Sequence, residues 1–347
     1  MRINSSGYRL WKKRRDQKIL KSKSKRRPKK KKSTNVLITP RENISALIPF
    51  EAPRNFSFKN NDEETINFFN MVLNYVKLNI KKRKKKKGIF VDISNVENLT
   101  IDSLMYLIAV IKNLKNIYRN NYKFSGNFPS EKEVRELLLE SGFLNYVKTN
   151  VEFELKPISN NIQIRSGTNV DTDVVKDILD FIIENVGIAK NRLGIIYDML
   201  IELMSNTKNH AYNSENIFLN SWYIFLEIKD GKLKFSFLDI GDGIPNTVHK
   251  TLSEKLKIGE KKNDSYYILS ALNGEFRTST NIKNRGKGLP GMDEYCKNEQ
   301  LEKFKVISGK GIIELNDELK YNVREAENEL IGTLYYWEND ISKLKGE

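Results

Sequence analysis

The sequence predicts an α/β protein in which a C-terminal two-layer α/β sandwich follows a small α/β module and a basic, mostly disordered tail. Positive charge is concentrated near the N-terminus, which predicts the tail. Short apolar runs of strand length alternate with helical periodicity in the middle of the chain, which predicts the module. Long helical patterns followed by alternating strands predict the sandwich. We place the tail at residues 1–55, the module at 56–150 and the sandwich at 151–347.

The tail carries most of the net charge of +16 of this 347-residue chain. Residues 1–33 contain 16 Lys and Arg against one acidic residue, Lys81–Lys87 adds seven positive charges, and the rest of the chain therefore has a net charge of −6. A segment so rich in Lys, Arg and Ser cannot bury enough apolar surface to offset the entropy lost on ordering. Such an arm is typical of binding to nucleic-acid phosphates or to an acidic partner, and also of a solubilising segment, and the sequence leaves these alternatives open.

The composition excludes several classes of protein. A single cysteine, Cys296, excludes a disulfide framework and a cysteine-based zinc cluster, and it suits a reducing compartment. The two histidines, His210 and His249, leave little material for a histidine metal site. The N-terminus has no apolar core of the signal-peptide type, and no segment approaches 18 consecutive apolar residues. We therefore expect a cytoplasmic protein that does not interact with membranes.

The module is predicted from strands that alternate with helices. Its last helix follows Ser130, with Glu133 in the spacing of a capping box and Gly142 as a stop. We expect helices at Asp62–Ile80, Ile101–Ile117 and Ser130–Ser141, and strands at Gly88–Asp92 and Asn121–Gly126.

The sandwich begins with a short β-rich connector at residues 150–168 and contains one clear hairpin. Trp222–Ile228 and Lys232–Asp239 have the alternation of strands, and Lys229-Asp230-Gly231 between them suits a tight turn. We expect further helices at Asp171–Val186, Ile188–Ala211 and near Met292–Cys296, and further strands at Phe304–Ile307, Gly311–Leu315 and Thr333–Trp337.

The first chemical motif lies on the helix predicted at Ile188–Ala211. Glu202, Asn206 and His210 are four residues apart, so they share one polar face of that helix. A carboxylate and a carboxamide one turn apart can act on the same ligand, the first as a base and the second as a metal-binding oxygen. A polar helix face is also common on ordinary protein surfaces, so this motif alone decides nothing.

Three glycine-containing motifs follow. Asp239-Ile-Gly241-Asp-Gly243 comes directly after a strand, where glycines allow a tight turn close to a ligand. Arg285-Gly-Lys-Gly-Leu-Pro-Gly-Met292 precedes a helix and can direct backbone N–H groups at phosphates. It is not a P-loop, because Gly-x-x-x-x-Gly-Lys-Ser/Thr is absent. The fourth motif is Gly332-Thr333 at the start of a strand, and each motif by itself is equally typical of a turn.

Together and in this order, the four motifs resemble the N-box, G1 box, G2 box and terminal Gly-Thr of the GHKL ATPase superfamily. That superfamily includes gyrase, the ninety-kilodalton heat-shock chaperones, histidine kinases and mismatch-repair ATPases. The resemblance covers about residues 150–337. It implies a Bergerat ATP-binding fold in which Asn206 holds Mg²⁺ and Glu202 orients or deprotonates the attacking water or a phosphoacceptor hydroxyl.

The same resemblance assigns the remainder of an ATP site. Asp239 would accept a hydrogen bond from the adenine amino group, with Thr333 in support. Residues 249–285 would form a mobile lid, whose closure over ATP would make the nucleotide state a conformational switch. The glycine motifs would line the two ends of the ligand, with Gly241 and Gly243 beside the adenine and Gly286, Lys287 and Gly288 around the phosphates.

The details of the N-box resemble most closely the anti-sigma-factor serine kinases. Histidine kinases often have a lysine three residues after the N-box asparagine, and this chain has Asn209 there. A phosphoaccepting histidine helix of the usual kind is also missing, so we do not expect histidine autokinase activity.

The module resembles STAS domains, which are the partners of those kinases. The resemblance lies in the strand, loop and helix of Val91–Leu104 and covers about residues 88–150. The phosphoacceptor serine of the family aligns with Ile101, and Thr100 and Ser103 are only adjacent. We expect a STAS-like binding module that is not phosphorylated at the usual position.

These resemblances leave several functions open. The first is slow Mg²⁺-dependent ATP hydrolysis that drives lid closure and controls binding of a protein partner. The second is a serine/threonine kinase of the anti-sigma type that acts on a STAS-like protein. The third is a nucleic-acid-associated ATPase anchored by residues 1–33, and the fourth is a non-enzymatic scaffold. GHKL relatives often form homodimers, although this chain has no coiled-coil heptads to predict one.

Overall fold

Helices and strands are mixed throughout residues 47–81, 88–117, 123–149, 160–209, 220–256, 262–275 and 288–346, which this computed structural model describes. The predicted tail up to residue 46, the basic run at 82–87 and the predicted module boundary at residue 150 lie outside these ranges. Residues 45–347 belong to one compact unit. None of the helices in the described ranges combines the length and apolar character needed to cross a bilayer.

The N-terminal part contains a small parallel sheet and three helices among its described residues. In chain order these elements are β1 (Leu47–Glu51), β2 (Asn55–Phe56), α1 (Asp62–Lys81), β3 (Gly88–Asp92), β4 (Asn98–Leu99), α2 (Ile101–Ile117), β5 (Phe124–Gly126) and α3 (Lys132–Glu140). The parallel sheet has the order β1-β3-β5, and β2 pairs separately with β4.

The C-terminal part is built around an antiparallel sheet. Its described elements are β6 (Asn161–Gly167), α4 (Thr172–Val186), α5 (Gly194–Asn209), β7 (Ser221–Lys229), β8 (Lys232–Ile240), α6 (Gly243–Leu256), α7 (Asp264–Leu272), α8 (Gly288–Lys297), β9 (Glu302–Leu315), β10 (Tyr321–Asp340) and α9 (Ile341–Lys345). The order within the described sheet is β6-β7-β8-β10-β9. Because β10 lies between β8 and β9, the end of β8 is brought next to the middle of β10.

Both faces of this sheet are buried, and alternation along β7 shows how. Trp222, Ile224 and Leu226 belong to a core shared with α4–α8. Tyr223 and Phe225, which point the other way, belong to a core shared with α1 and α2. The five-stranded sheet is therefore enclosed between two helical layers.

The second helical layer was not part of the predicted two-layer sandwich. Phe69 of α1 and Tyr106 of α2 lie in the same cluster as Phe225 and Leu334 of the sheet. Helical periodicity identifies the apolar face of a helix, but not the surface on which that face packs. The module helices were therefore assigned to the module alone, although they also cover the C-terminal sheet.

The first strand lies within the range predicted as tail. Leu47–Glu51 pairs in parallel with β3, so the described fold begins before the predicted boundary at residue 56. Pro28, Pro40 and Pro53 favoured the prediction of an irregular tail, and a further proline, Pro49, lies within β1. Proline is tolerated here because β1 is an edge strand, in which a missing N–H does not interrupt a central ladder.

Several element boundaries differ from the prediction. Helix α3 begins at Lys132, and the capping box predicted at Ser130 is wrong, because Glu131 is the N-cap residue and the backbone N–H of Ser130 bonds to Ser94. Helix α5 begins at Gly194, after a 3₁₀ turn at Lys190–Arg192. The two strands predicted between residues 304 and 315 are one strand, β9, which continues through Gly309.

Other predictions are confirmed. The helix predicted at Ile101–Ile117 matches α2, and the stop predicted at Gly142 has a φ of +78° directly after the end of α3. The hairpin between β7 and β8 turns at Asp230 and Gly231, whose φ values of +54° and +69° are those of a two-residue primed turn.

Candidate functional site

The candidate site is centred on Asp239, near the end of β8. Its side chain lies on the sheet face that packs against α4–α8, as do those of Phe237 and Phe235, which are two and four residues earlier. The Oδ1 atom of Asp239 is buried and has no hydrogen-bond partner among the residues that the structure describes. Burial, and then the charge of Asp242, raise the pKa of this carboxyl to about 7. Burial of such an oxygen lowers the stability of the folded protein unless a proton or a bound hydrogen-bond donor satisfies it.

Thr333 lies directly across from Asp239 in the register of β8 and β10. Its buried hydroxyl oxygen is 2.9 Å from Oγ of Ser308 on β9. Ser308 Oγ also accepts a hydrogen bond from the N–H of Ile244 (2.9 Å) and donates to the carbonyl of Gly332 (3.1 Å). One hydroxyl therefore joins β9, β10 and the start of α6 beside Asp239.

Two glycines allow these elements to approach one another closely. Gly243 has a φ of +77°, and a Cβ at this position would lie 2.9 Å from Ser308 Oγ. Gly332 has a φ of +90°, and a Cβ there would lie 2.0 Å from the carbonyl oxygen of Asp239. Both positions therefore require glycine, for backbone conformation as well as for space. Gly241 is also close, since a Cβ at this position would be 2.9 Å from Oδ1 of Asp239.

Glu202 and Gly288 form a second contact, between α5 and the first residue of α8. The Glu202 carboxylate accepts a hydrogen bond from the backbone N–H of Gly288, and a Cβ on Gly288 would lie 2.2 Å from Glu202 Cγ. Burial raises the pKa of Glu202, and this hydrogen bond partly opposes the rise. The N-terminus of α8 thus already attracts an anion, as helix N-termini do.

The charges at both contacts affect Tyr335. It follows Thr333 by two residues on β10, so both side chains are on the same face of the sheet, and it is buried. Burial raises the pKa of the Tyr335 hydroxyl, and the negative charges of Asp239 and Glu202 raise it further.

The remaining predicted site residues are only partly accounted for. Asn206 is half-buried on α5, one turn after Glu202. Gly286, Lys287 and His210 lie outside the described residues. Among the described residues, no three His, Cys, Asp or Glu side chains are grouped as a metal site.

The lid predicted at residues 249–285 is too long. Within it, α7 contributes Tyr267, Ile268 and Leu272 to the core, and Asp264 accepts a hydrogen bond from the N–H of Lys310 (2.9 Å). The polar composition of the whole stretch concealed this short apolar helix. A helix anchored in this way belongs to the body of the fold.

The loop that resembles a STAS phosphoacceptor site is closed. Ser103 is fully buried and donates a hydrogen bond to Asp102 (3.1 Å), and the Thr100 hydroxyl donates to the same carboxylate. Ile101, at the aligned position, is buried as well. Phosphate transfer to either hydroxyl would first require its release from Asp102.

Ser308 and Tyr335 were not predicted from the sequence. A serine within an apolar strand and a tyrosine within another carry no motif, and the only signal was the position of Tyr335 two residues after the Gly332-Thr333 pair.

No protein-family model matches this chain, and no curated protein matches it either.

Gly288→Ala is expected to destabilise the protein by about 1–3 kcal/mol, because the added methyl group displaces Glu202 from the start of α8. Gly291→Ala, three residues later in the same helix, is the matched control. A Cβ at Gly291 meets nothing within 4 Å, so this change is expected to stabilise the helix by about 0.5–1 kcal/mol. Urea unfolding of both variants measures the difference, and equal midpoints would contradict the close contact with Glu202.

Proposed function

We propose that this chain binds ATP together with Mg²⁺ and hydrolyses it slowly, so that nucleotide binding and release control the interaction with a protein partner. The observation that carries this proposal is the buried Oδ1 of Asp239 beside Thr333, which no donor among the described residues satisfies. The exocyclic amino group of adenine is a donor of the type that this oxygen lacks. Gly241 lies beside this oxygen, where a Cβ would be only 2.9 Å from it, so a larger residue there would crowd the atom that the ligand is proposed to reach.

The phosphate end of the proposed ligand would lie at the start of α8. Phosphate oxygens and Glu202 would compete for the N–H of Gly288, since both are anions suited to a helix N-terminus. A Glu202 carboxylate released from that contact becomes available to accept a proton from water. Burial, which raises its pKa, makes it a stronger base than an exposed carboxylate.

Asn206 is the candidate for holding Mg²⁺. Its amide oxygen is a hard ligand one turn from Glu202, and Mg²⁺ sites commonly combine one or two protein oxygens with water and phosphate oxygens. Bound Mg²⁺ would neutralise charge on the phosphates. The proposed site therefore suits a Mg²⁺ ion that binds together with the phosphates of the nucleotide.

Asn206→Ala tests the proposal. We expect this variant to lose at least about tenfold in affinity for ATP in the presence of Mg²⁺ and to release less phosphate, while its Mg²⁺-independent binding changes little. Calorimetric titration with and without EDTA, followed by a phosphate-release assay, measures these effects. Asn185→Ala, which removes an exposed amide on α4, is the control and is expected to behave as wild type.

The same incubation distinguishes the other functions. Wild-type protein that binds no ATP at millimolar concentration, with or without Mg²⁺, would overturn the proposal. Transfer of label from ATP to serine or threonine of an added STAS-like protein would instead assign a kinase activity to the same residues. Phosphate release without such transfer supports the ATPase.

A further inference from the structure

The geometry points to helices α1 and α2 as positioning elements of the nucleotide site, acting from the opposite face of the sheet through Tyr106. This inference rests on the proposed function and concerns a part of the chain that the four motifs do not include. Its basis is a bulged segment of β10, residues 326–332, which ends at Gly332 next to Thr333.

The bulged segment lacks the regular partner that a strand normally has. Glu325 pairs with Gly311 and Leu330 with Gly309, so β10 advances five residues while β9 advances two. A second irregularity lies between Leu330 and Thr333. Backbone groups within such bulges cannot all bond to the neighbouring strand and need other partners.

Helix α1 supplies two of those partners. The side-chain amide of Asn70 donates to the carbonyl of Glu329 (2.8 Å), and it also donates to Ile66 within its own helix (3.0 Å). The carboxylate of Glu63 accepts a hydrogen bond from the N–H of Glu327 (2.9 Å). The bulge is therefore tied to the exposed edge of α1.

Helix α2 supplies the partner closest to the site. The Tyr106 hydroxyl accepts a hydrogen bond from the N–H of Ile331 (3.0 Å) and donates to the carbonyl of the same residue (3.3 Å). Tyr106 is buried, and its ring packs edge-on against Phe58 and Phe69 with centroid distances of 5.4 and 4.6 Å. A hydroxyl on a ring held in this way fixes the backbone to which it bonds.

The hydrogen bonds of Tyr106 reach the proposed site through one intervening residue, Gly332. Ile331 is followed by Gly332, which lies against the carbonyl of Asp239, and then by Thr333, which is the register partner of Asp239. The position of Ile331 therefore sets how closely β10 approaches β8 at the proposed adenine end. The phosphate end, at Glu202 and Gly288, shares none of these contacts.

Tyr106→Phe is the test, because it removes the hydroxyl and keeps the ring. We expect the affinities for ATP and ADP to fall by the same factor, about 5- to 10-fold, while the affinity for inorganic tripolyphosphate is unchanged. A role limited to general stability would not separate adenine nucleotides from tripolyphosphate. Calorimetric titrations of the full-length chain, at a temperature at which circular dichroism shows the variant folded, measure all three.

Tyr146→Phe is the matched control. Its hydroxyl also donates to a backbone carbonyl of the large sheet, that of Ile164 (2.8 Å), but on the edge strand β6. We expect this variant to bind ATP as wild type does. If Tyr106→Phe does not fold, Asn70→Ala replaces it, and a two- to fourfold loss of ATP affinity is expected.

The possible outcomes separate the two claims. Wild-type protein that binds no nucleotide overturns the proposed function and this inference with it. Wild-type binding together with wild-type affinity in a folded Tyr106→Phe variant, or in Asn70→Ala where the first does not fold, overturns the inference alone. Equal losses for ATP and tripolyphosphate also overturn it, since they assign Tyr106 a general structural role.

Discussion

Asp239→Asn is expected to lower the affinity for ATP by about 10- to 150-fold and, at the same time, to stabilise the folded protein. A hydrogen bond to a charged group contributes about 1.5–3 kcal/mol, and each 1.4 kcal/mol is a factor of ten in affinity. The stabilisation has another cause, since Oδ1 is buried without a partner among the described residues and burial raises the pKa of this carboxyl to about 7. Removing a charge that opposes folding at neutral pH should raise the free energy of unfolding by about 1–2 kcal/mol.

The raised pKa of Asp239 also sets a pH dependence. Between its ordinary value of 3.8 and about 7, the folded protein binds more protons at this residue than the unfolded chain. The free energy of unfolding therefore falls as pH rises through this window, by at most about 1.4 kcal/mol per pH unit. A donor such as the adenine amino group favours the carboxylate, so ATP affinity should rise with pH over the same window and level off above it.

Calorimetric titrations at several pH values, together with urea unfolding, measure both effects. In Asp239→Asn, neither the free energy of unfolding nor the affinity for ATP is expected to show the pH dependence that this carboxyl produces. The control is Asp177→Asn, which makes the same chemical change at an exposed position on α4. Unchanged ATP affinity in Asp239→Asn, or a loss of stability in place of the gain, would contradict a binding role for this carboxylate.

The helices with uninterrupted apolar faces could be predicted from the sequence almost to the residue. The helix predicted at Asp171–Val186 is α4, with Asp171 as its cap, where the carboxylate accepts hydrogen bonds from the N–H groups of Asp173 and Val174 (both 3.1 Å). The helix in the polar stretch after α6 was harder to predict, because α7 has only nine residues and the sequence on either side of it is charged. Local periodicity is a strong signal only where a helix is long enough to repeat it.

The order of the motifs could be predicted, but the pairing of their residues could not. Asp239 and Thr333 are 94 positions apart in the chain, and they meet because β10 is inserted between β8 and β9. The contact of Glu202 with Gly288 likewise depends on how α8 packs beside α5. Sequence spacing carries no information on strand order of this kind, which is why Ser308 and Tyr106 were also missed.

Charged side chains lie between α1 and the large sheet, where apolar contacts would be the rule. Lys305 on β9 donates to Asp62 at the start of α1 (2.7 Å) and to the carbonyl of Lys59 (2.9 Å). Arg324 also contacts Asp62. The side chains of Lys305 and Asp62 are only 3% and 7% exposed, so neither charge has ready access to water. This ion pair joins the N-terminal helices to the sheet.

Asp62→Leu is expected to reduce the free energy of unfolding by about 3–5 kcal/mol, because it leaves Lys305 charged and buried without its main partner. The remaining carboxylate near Lys305, that of Glu314, is 3.9 Å away and half-exposed, so it compensates little. The double variant Asp62→Leu with Lys305→Met removes both charges. It is expected to recover most of the loss, since a buried ion pair and an apolar pair of similar size often have similar stability.

The ion pair between Lys303 and Asp317 is the control. It also involves β9 and has the same length of 2.7 Å, but the side chains of Lys303 and Asp317 are 55% and 90% exposed. Asp317→Asn should therefore cost less than about 1 kcal/mol, because water replaces the lost partner. Urea unfolding followed by tryptophan fluorescence gives all four midpoints, and Trp222 and Trp337 in the core are suitable probes. If Asp62→Leu costs no more than Asp317→Asn, or if the double variant is as unstable as the single one, burial does not determine the strength of this contact. A large loss restored in the double variant would mean that Asp62 is needed chiefly because Lys305 is buried beside it, and that the ion pair itself adds little net stability to the packing of α1 and α2 on the sheet.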